Sequence, residues 1–159
     1  MAAPAIQRFD TRAAFQAHLG TAFGRARATL DLFDPDCTPF ALGAPETDAL
    51  LRGFLRHGGR LRLAMHTATA LERTAPRFLR LLRDYEHAIA CRLTPRALRD
   101  LTDSFCIADD LHIVRRFHAD HWRGEAAFDA PQEIDVSRER FSAIWGESLP
   151  GLRAATTGL

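Results

Sequence analysis

Residues 112–129 of this sequence, HIVRRFHADHWRGEAAFD, hold its densest run of side chains able to do chemistry. His112, His118 and His121 offer imidazoles, Arg115, Arg116 and Arg123 offer guanidinium forks, and Asp120, Glu125 and Asp129 offer carboxylates. Three chemistries fit these residue types. The arginines can bridge the carboxylates along a hairpin edge and its loop, a purely structural use. The forks can instead gather on a phosphate or another anion, whose geometry a planar guanidinium matches. Neutral imidazoles with a carboxylate can also hold zinc. His118, Asp120 and His121 are the candidate ligands, although their spacing is not the i, i+4 pattern of a helical site. If 112–117 is a regular strand, its side chains alternate between the two faces. Arg115 and Arg116 then point opposite ways, and only one of them can share a pocket with His118 or with His66.

Other residues carry a functional and a structural reading side by side. His66 ends a strand-like run, and the carboxyl ends of strands are where open α/β sheets bind ligands. A surface histidine is the plainer reading. Asp34 and Asp36 could line the same edge, or simply form an Asp-Pro-Asp turn. Arg73, Arg77, Arg80 and Arg83 lie on or beside one helix as a solvated basic face. No aromatic residues interleave with them, which argues against nucleic acid. Trp122 and the loop from Phe128 to Pro131 could anchor a partner protein; a packed loop tryptophan is the alternative.

The composition narrows the field. The 159 residues fit one domain, and 47% hydrophobic with 26% charged residues is ordinary for a globular chain. No apolar run approaches the roughly 20 residues of a spanning helix, so membrane insertion is not expected. Met1 to Arg8 lacks a charged n-region, so no secretory signal is read there. Net charge is +1, from 21 basic and 20 acidic residues, which gives no global field toward a polyanion. Every basic residue is arginine. Schiff-base chemistry and a P-loop lysine are therefore excluded. Cys37, Cys91 and Cys106 are odd in number and form no C-x-x-C pair. They read as buried free thiols of a reducing, cytoplasmic compartment. No cofactor is implied.

The elements that must position these residues follow from periodicity. Phe15, Leu19, Phe23 and Ala26 predict a helix over 10–30, capped by Asp10 or Thr11. Leu30 to Phe33 is a short strand and 37–45 a loop. A second helix is expected over 46–57, ended by Gly58-Gly59, then a strand from Arg60 to His66. A third helix covers 75–84, a strand His87 to Leu93, and a short helix Pro95 to Leu101. Ser104 to Ala108 and His112 to Phe117 form a hairpin about Asp109-Asp110-Leu111. Residues 118–131 look irregular, and 137–147 form a closing helix. This order predicts an α/β domain with a mixed sheet and helices on both faces. The domain is read as 10–149, between an N-terminal extension, 1–9, and a C-terminal tail, 150–159.

That order resembles one half of a phospholipase D-like domain. The strand LDLF (30–33), the segment LLRGFLRHGGRLRLAMH (50–66), and TDSFCIAD (102–109) followed by LHIVRRF (111–117) carry the likeness. Active members of that family place H-x-K-x4-D on a central strand. His is the nucleophile, Lys holds a phosphate oxygen, and Asp supports the site. In this chain those positions fall on Thr102, Ser104 and Asp109. Threonine has no ring nitrogen to attack phosphorus, and serine supplies no fixed positive charge. The whole chain also resembles a bacterial domain-of-unknown-function family. That likeness rests on HAIACR (87–92), LTDSFCIAD (101–109), the run 114–129 and the ending TTGL.

The resemblance implies a phospholipase D-like half-domain without the family's chemistry. Such a domain would bind an anion, above all a phosphate-containing ligand, or a protein, with His66, Arg115, Arg116, His118, His121 and Arg123 as candidate contacts. Because a complete site in the family needs two halves, a homodimer is expected. The alternative is a phosphodiesterase or metal-dependent hydrolase with a relocated His118/His121 site.

Overall fold

The first helix starts where its cap requires. Thr11 is extended, and its hydroxyl accepts from the Ala14 N–H, which frees α1 (Arg12–Arg25) to begin. A computed structural model describes residues 5–153 of the chain. Its other elements are β1 (Gln7–Phe9), β2 (Thr29–Phe33), α2 (Pro45–Arg56), β3 (Arg60–Met65), α3 (Thr69–Thr74), α4 (Pro76–Asp84), β4 (Ile89–Leu93), β5 (Ser104–Ala108), β6 (His112–Arg116), β7 (Gly124–Ala127), α5 (Asp135–Glu147) and β8 (Leu149–Pro150).

The strands form one eight-stranded sheet in the order β1-β7-β6-β5-β2-β3-β4-β8. β2, β3 and β4 run parallel, and every other pair is antiparallel. Alternation along each strand divides the core in two. Leu30 and Leu32, Leu61 and Leu63, Cys106 and Val114 face α1, α2 and α4. Phe33, Ala64, Phe105, Ile107 and Ile113 face α5. The α/β class, the mixed sheet and helices on both faces are as the sequence indicates. No helix among the described residues is long and apolar enough to cross a membrane.

Several boundaries differ from the sequence reading, each for a physical reason. α1 stops at Arg25 rather than near residue 30, because the N–H groups of Arg27, Ala28 and Thr29 turn to the Asp109 carboxylate. Residues 118–131 are not wholly irregular. Gly124–Ala127 is a strand, hidden because glycine and alanine carry little β propensity. Gln7–Phe9, read as part of an extension, pairs with that strand. Residues 69–74 form a further short helix, separated from α4 by Pro76 at the first helical position. The segment Pro95 to Leu101 holds only a 3₁₀ turn, Arg96–Leu98. Leu149–Pro150 adds a last edge strand against β4. The tail beyond residue 153 and residues 1–4 lie outside the described residues.

Candidate functional site

Sheet register sets the site. Ser104 at the start of β5 stands opposite Arg116 at the end of β6, which stands opposite Gly124 at the start of β7. The carboxyl ends of β2, β3 and β4 come to the same edge. Asp34, His66 and Thr94, each one residue beyond its strand, therefore meet Ser104 and Arg116 along one line.

Asp34 is the hub of that edge. It is only 2% exposed. Its Oδ1 accepts from the Ser104 hydroxyl. Its Oδ2 accepts from the N–H groups of Asp36 at 2.9 Å and Cys37 at 2.7 Å. These bonds hold Cys37 in a left-handed conformation, φ 66°. Burial pushes the Asp34 carboxyl up to about 6, against the pull of those hydrogen bonds.

Above Asp34 lies a cleft of about 280 Å³, lined by Arg12, Asp34, Asp36, Arg116 and Trp122 among others. Arg116 is buried, and two of its nitrogens hold the following loop. Nε donates to the His121 carbonyl at 2.6 Å and Nη2 to that of Ala119 at 2.7 Å. Its guanidinium lies 3.8 Å from the Trp122 ring centroid, and Arg12 lies 5.7 Å from the same ring. Trp122 packs on the core beside Phe15, with ring centroids 5.8 Å apart.

The other sequence candidates are dispersed. Arg115 faces α5, where Nε sits 3.0 Å from Glu125 Oε1 and Nη1 donates to Ser137 Oγ at 3.1 Å. Thr102 lines a second cavity on that side, about 380 Å³, with Asp103, Arg115 and Arg140. His66 is bonded at both ring nitrogens. The Leu101 carbonyl, 2.7 Å from Nε2, can only accept, so Nε2 carries the proton and Nδ1 faces the Thr94 hydroxyl at 2.6 Å. In this arrangement His66 fastens the loop after β4 to the sheet edge.

His118 and His121 sit on the exposed loop beyond Arg116, ring centroids 5.9 Å apart. Each Nδ1 accepts from a backbone N–H, that of Asp120 at 3.0 Å and that of Arg123 at 3.2 Å. Asp120 Oδ2 lies 3.4 Å from His118 Nδ1. Arg123 is exposed at the loop's end. His112 lies at the far end of β6, where its Nδ1 accepts from the Asp129 N–H. Among the described residues no group of three His, Cys, Asp or Glu side chains is placed to hold a metal ion. All three cysteines are buried and free, and burial raises their thiols, that of Cys91 to about 12. None is a thiolate nucleophile at neutral pH.

Asp109, the position that the phospholipase D resemblance gives to the motif's aspartate, is at the opposite edge from this cleft. At φ 57° it closes the β5–β6 turn, and its carboxylate accepts from three N–H groups at 2.7–3.0 Å. These bonds outweigh its partial desolvation and hold its carboxyl below the usual range. Asp109→Ala is therefore expected to lower stability by roughly 1–2 kcal/mol, allowing for solvent access to the freed amides. Urea denaturation checks this, and an unchanged midpoint would deny the clip. Because the carboxyl is depressed, its contribution is present above about pH 4, the unfolded value, and fades as pH falls below that.

Sequence comparison adds the family. Residues 11–154 match a domain-of-unknown-function family, DUF7931. The chain belongs to this family. No curated protein matched the sequence.

Solved structures resemble this DUF7931 domain in fold. Nuc from Salmonella typhimurium, a phospholipase D family member, superposes with a TM-score of 0.68 at 12% identity. That likeness covers 94% of this chain and 99% of Nuc. NucT from Helicobacter pylori gives 0.61 at 9% identity, over 92% of this chain and 99% of its own. TrmBL2, described as an archaeal chromatin protein with a novel mode of DNA binding, gives 0.69 at 10% identity, over 92% of this chain and 54% of TrmBL2. At such identities the likeness is one of fold: the DUF7931 domain has a phospholipase D-like architecture.

One cleft-lining residue, Arg12, had no signal in the sequence. It reads as an ordinary first-turn helix residue, and only the packing of α1 against the β6–β7 loop brings it to Trp122.

Proposed function

We propose that this domain is a non-catalytic phospholipase D-like module that binds an anionic group, foremost a phosphate, in the cleft above Asp34. The observation that carries this reading is the Ser104–Asp34 pair. The position that the family resemblance gives to lysine holds a buried hydroxyl whose proton is committed to a buried carboxylate. The histidine position is Thr102, which lines a different cavity. The ring nitrogens of His66 are engaged, so among the described residues no free imidazole stands at the sheet edge.

Anion binding is favoured over cation binding by which groups still have unoccupied hydrogen-bonding capacity. Both Asp34 oxygens accept from the protein itself, and Asp36 Oδ1 accepts from the Thr38 N–H. Arg12 and the Nη1 of Arg116 have no hydrogen-bond acceptor among the described residues. An entering oxyanion therefore meets unused N–H donors.

A homodimer closing over the cleft belongs to this reading, because the family's complete sites use two halves. A monomer by light scattering at working concentration removes that part. The buried thiols suit a reducing cytoplasm.

Thermal melts with inorganic phosphate, a short oligonucleotide, and zinc with and without chelator test the reading. At tenfold over Kd, phosphate is expected to stabilise by about 1.4 kcal/mol, a rise of roughly 3–5 °C. The rise should vanish in Arg12→Ala. No rise with phosphate would turn the reading to protein interaction, for which Phe117 and Val136, 50% and 69% exposed beside the second cavity, offer an apolar surface. No turnover of a generic phosphodiester is expected. Turnover lost in His118→Ala would instead establish the relocated hydrolase.

A further inference from the structure

The floor of the cleft is a carboxyl group almost without solvent, beside the Asp36 carboxylate and below Arg12 and Arg116. An anion drawn in by Arg12 and Arg116 must come to rest over Asp34. Repulsion between two negative charges is strong where water is excluded, so the charge on Asp34 opposes the ligand that the arginines attract.

The hydrogen bonding around Asp34 lets it give up that charge with no more than a turn of the Ser104 hydroxyl. Its Oδ2 accepts from two backbone N–H groups, and this survives protonation of the other oxygen. The partner of Oδ1 is a hydroxyl, which can either donate or accept. A proton arriving on Oδ1 reverses the Ser104 bond, so that the carboxyl donates to Oγ and the contact between the two groups is kept while the serine hydrogen turns away. A lysine at position 104 could only donate, and would hold Asp34 ionised.

We infer that anion binding in this cleft is linked to protonation of Asp34, so that the ligand is held more tightly as pH falls. This deepens the anion-binding reading above and rests on it. Linkage is reciprocal: the bound anion must in turn raise the affinity of Asp34 for its proton. Burial already brings that proton into the range exchanged near neutral pH, at about 6.

Other charged groups face the same space. Arg12 comes from α1, Asp36 from the loop after β2 and Arg116 from β6. The Cys37 thiol beneath is buried and neutral. His118, Asp120 and His121 lie on the loop that Arg116 holds. His121 is kept below its ordinary value by desolvation first and then by Arg123, His118 and Arg116. The test must separate the imidazoles of this loop from Asp34.

Sulfate is the probe, because unlike phosphate it stays a dianion through mild acid. Its Kd is measured by calorimetry at about pH 7.5 and about pH 5.5 at fixed ionic strength. The wild type is expected to bind roughly fivefold to tenfold more tightly at the lower pH, a coupling of ordinary size. Asp34→Asn, which keeps the hydrogen-bond pattern, should bind tightly at both, with a ratio near one. The double variant His118→Ala/His121→Ala should keep most of the wild-type ratio. In Ser104→Ala the loss of a bond to the ionised carboxyl should move the transition to higher pH. Melting curves confirm that each variant is folded.

Equal affinity at the two pH values in the wild type overturns the linkage while leaving the anion site intact. A full pH dependence retained in Asp34→Asn, or lost in the histidine double variant, also overturns it. No sulfate binding at either pH overturns the anion site itself.

Discussion

Asp34→Asn is expected to melt roughly 4–9 °C above the wild type at about pH 7.5, and to lose that advantage below about pH 4. The reason is the cost of holding a buried charge. In the folded chain the Asp34 carboxyl is pushed up to about 6 by burial. In the unfolded chain it returns to about 3.9. Between those values the folded state binds more protons, so stability falls as pH rises from about 4 to about 6, and is level above. Each unit of difference is worth about 1.4 kcal/mol, giving roughly 2–3 kcal/mol of destabilisation at neutral pH. Asparagine removes the charge and keeps the bonds. Its carbonyl can accept from Asp36 and Cys37, and its amide can donate to the Ser104 hydroxyl. Melting curves at three pH values check the claim. A variant less stable than wild type at pH 7.5 would show that the hydrogen bonds, rather than burial, set the proton affinity of Asp34.

Gly124→Ala is expected to be the most damaging small substitution in the sheet. A Cβ at this position would lie 2.0 Å from the Arg115 carbonyl oxygen and 2.6 Å from Phe9 Cζ. Phe9 can rotate away, but the carbonyl belongs to β6 and cannot move without opening the β6–β7 pairing. The loss should be about 3 kcal/mol or more, a fall of at least roughly 6 °C. Hydrogen exchange should show the damage first at Gln7–Phe9 and Gly124–Ala127, the two strands that meet there. Gly20→Ala and Gly53→Ala give the contrast. Both glycines are inside helices, and nothing lies within 4 Å of their added Cβ. Each should stabilise by up to about 1 kcal/mol. If Gly124→Ala melted like these two, the close approach of β1, β6 and β7 would be wrong.

The parts of the fold legible in the sequence are those whose pattern is local. β3 alternates leucines and methionine with arginines, and the β5–β6 hairpin has its apolar runs and its Asp109-Asp110 turn. The strands that escaped, β1, β7 and β8, are two to four residues long and owe their existence to a neighbour. Their own residues, such as Gly-Glu-Ala-Ala, carry no strand signal. The candidate site divides in the same way. The opposed directions of Arg115 and Arg116 follow from strand geometry alone, and Asp34 and Asp36 could be placed at the edge from the end of β2. The roles of His66 and Asp109 could not be read. Each depends on backbone groups far away in sequence, the Leu101 carbonyl for one and the amides of residues 27–29 for the other. Chemistry-bearing residue types attracted a functional reading, whereas in the folded chain both serve as fasteners.

The pairing of β1 with β7 also sets a schedule for biosynthesis. Gln7 is translated at the start of the domain, and its partner Ala126 almost at the end. At typical elongation rates the first strand waits on the order of ten seconds for the surface it will join. Meanwhile Phe9, which is buried in the finished sheet, has Phe15 of α1 to pack on but no neighbouring strand. The outer edge of the sheet is therefore expected to close only after the nascent chain has supplied residue 127. Until then the domain carries an unpaired strand of the kind that other chains can capture. Ribosome-bound chains stalled before and after Gly124–Ala127 has emerged should differ sharply in protease resistance at Gln7–Phe9.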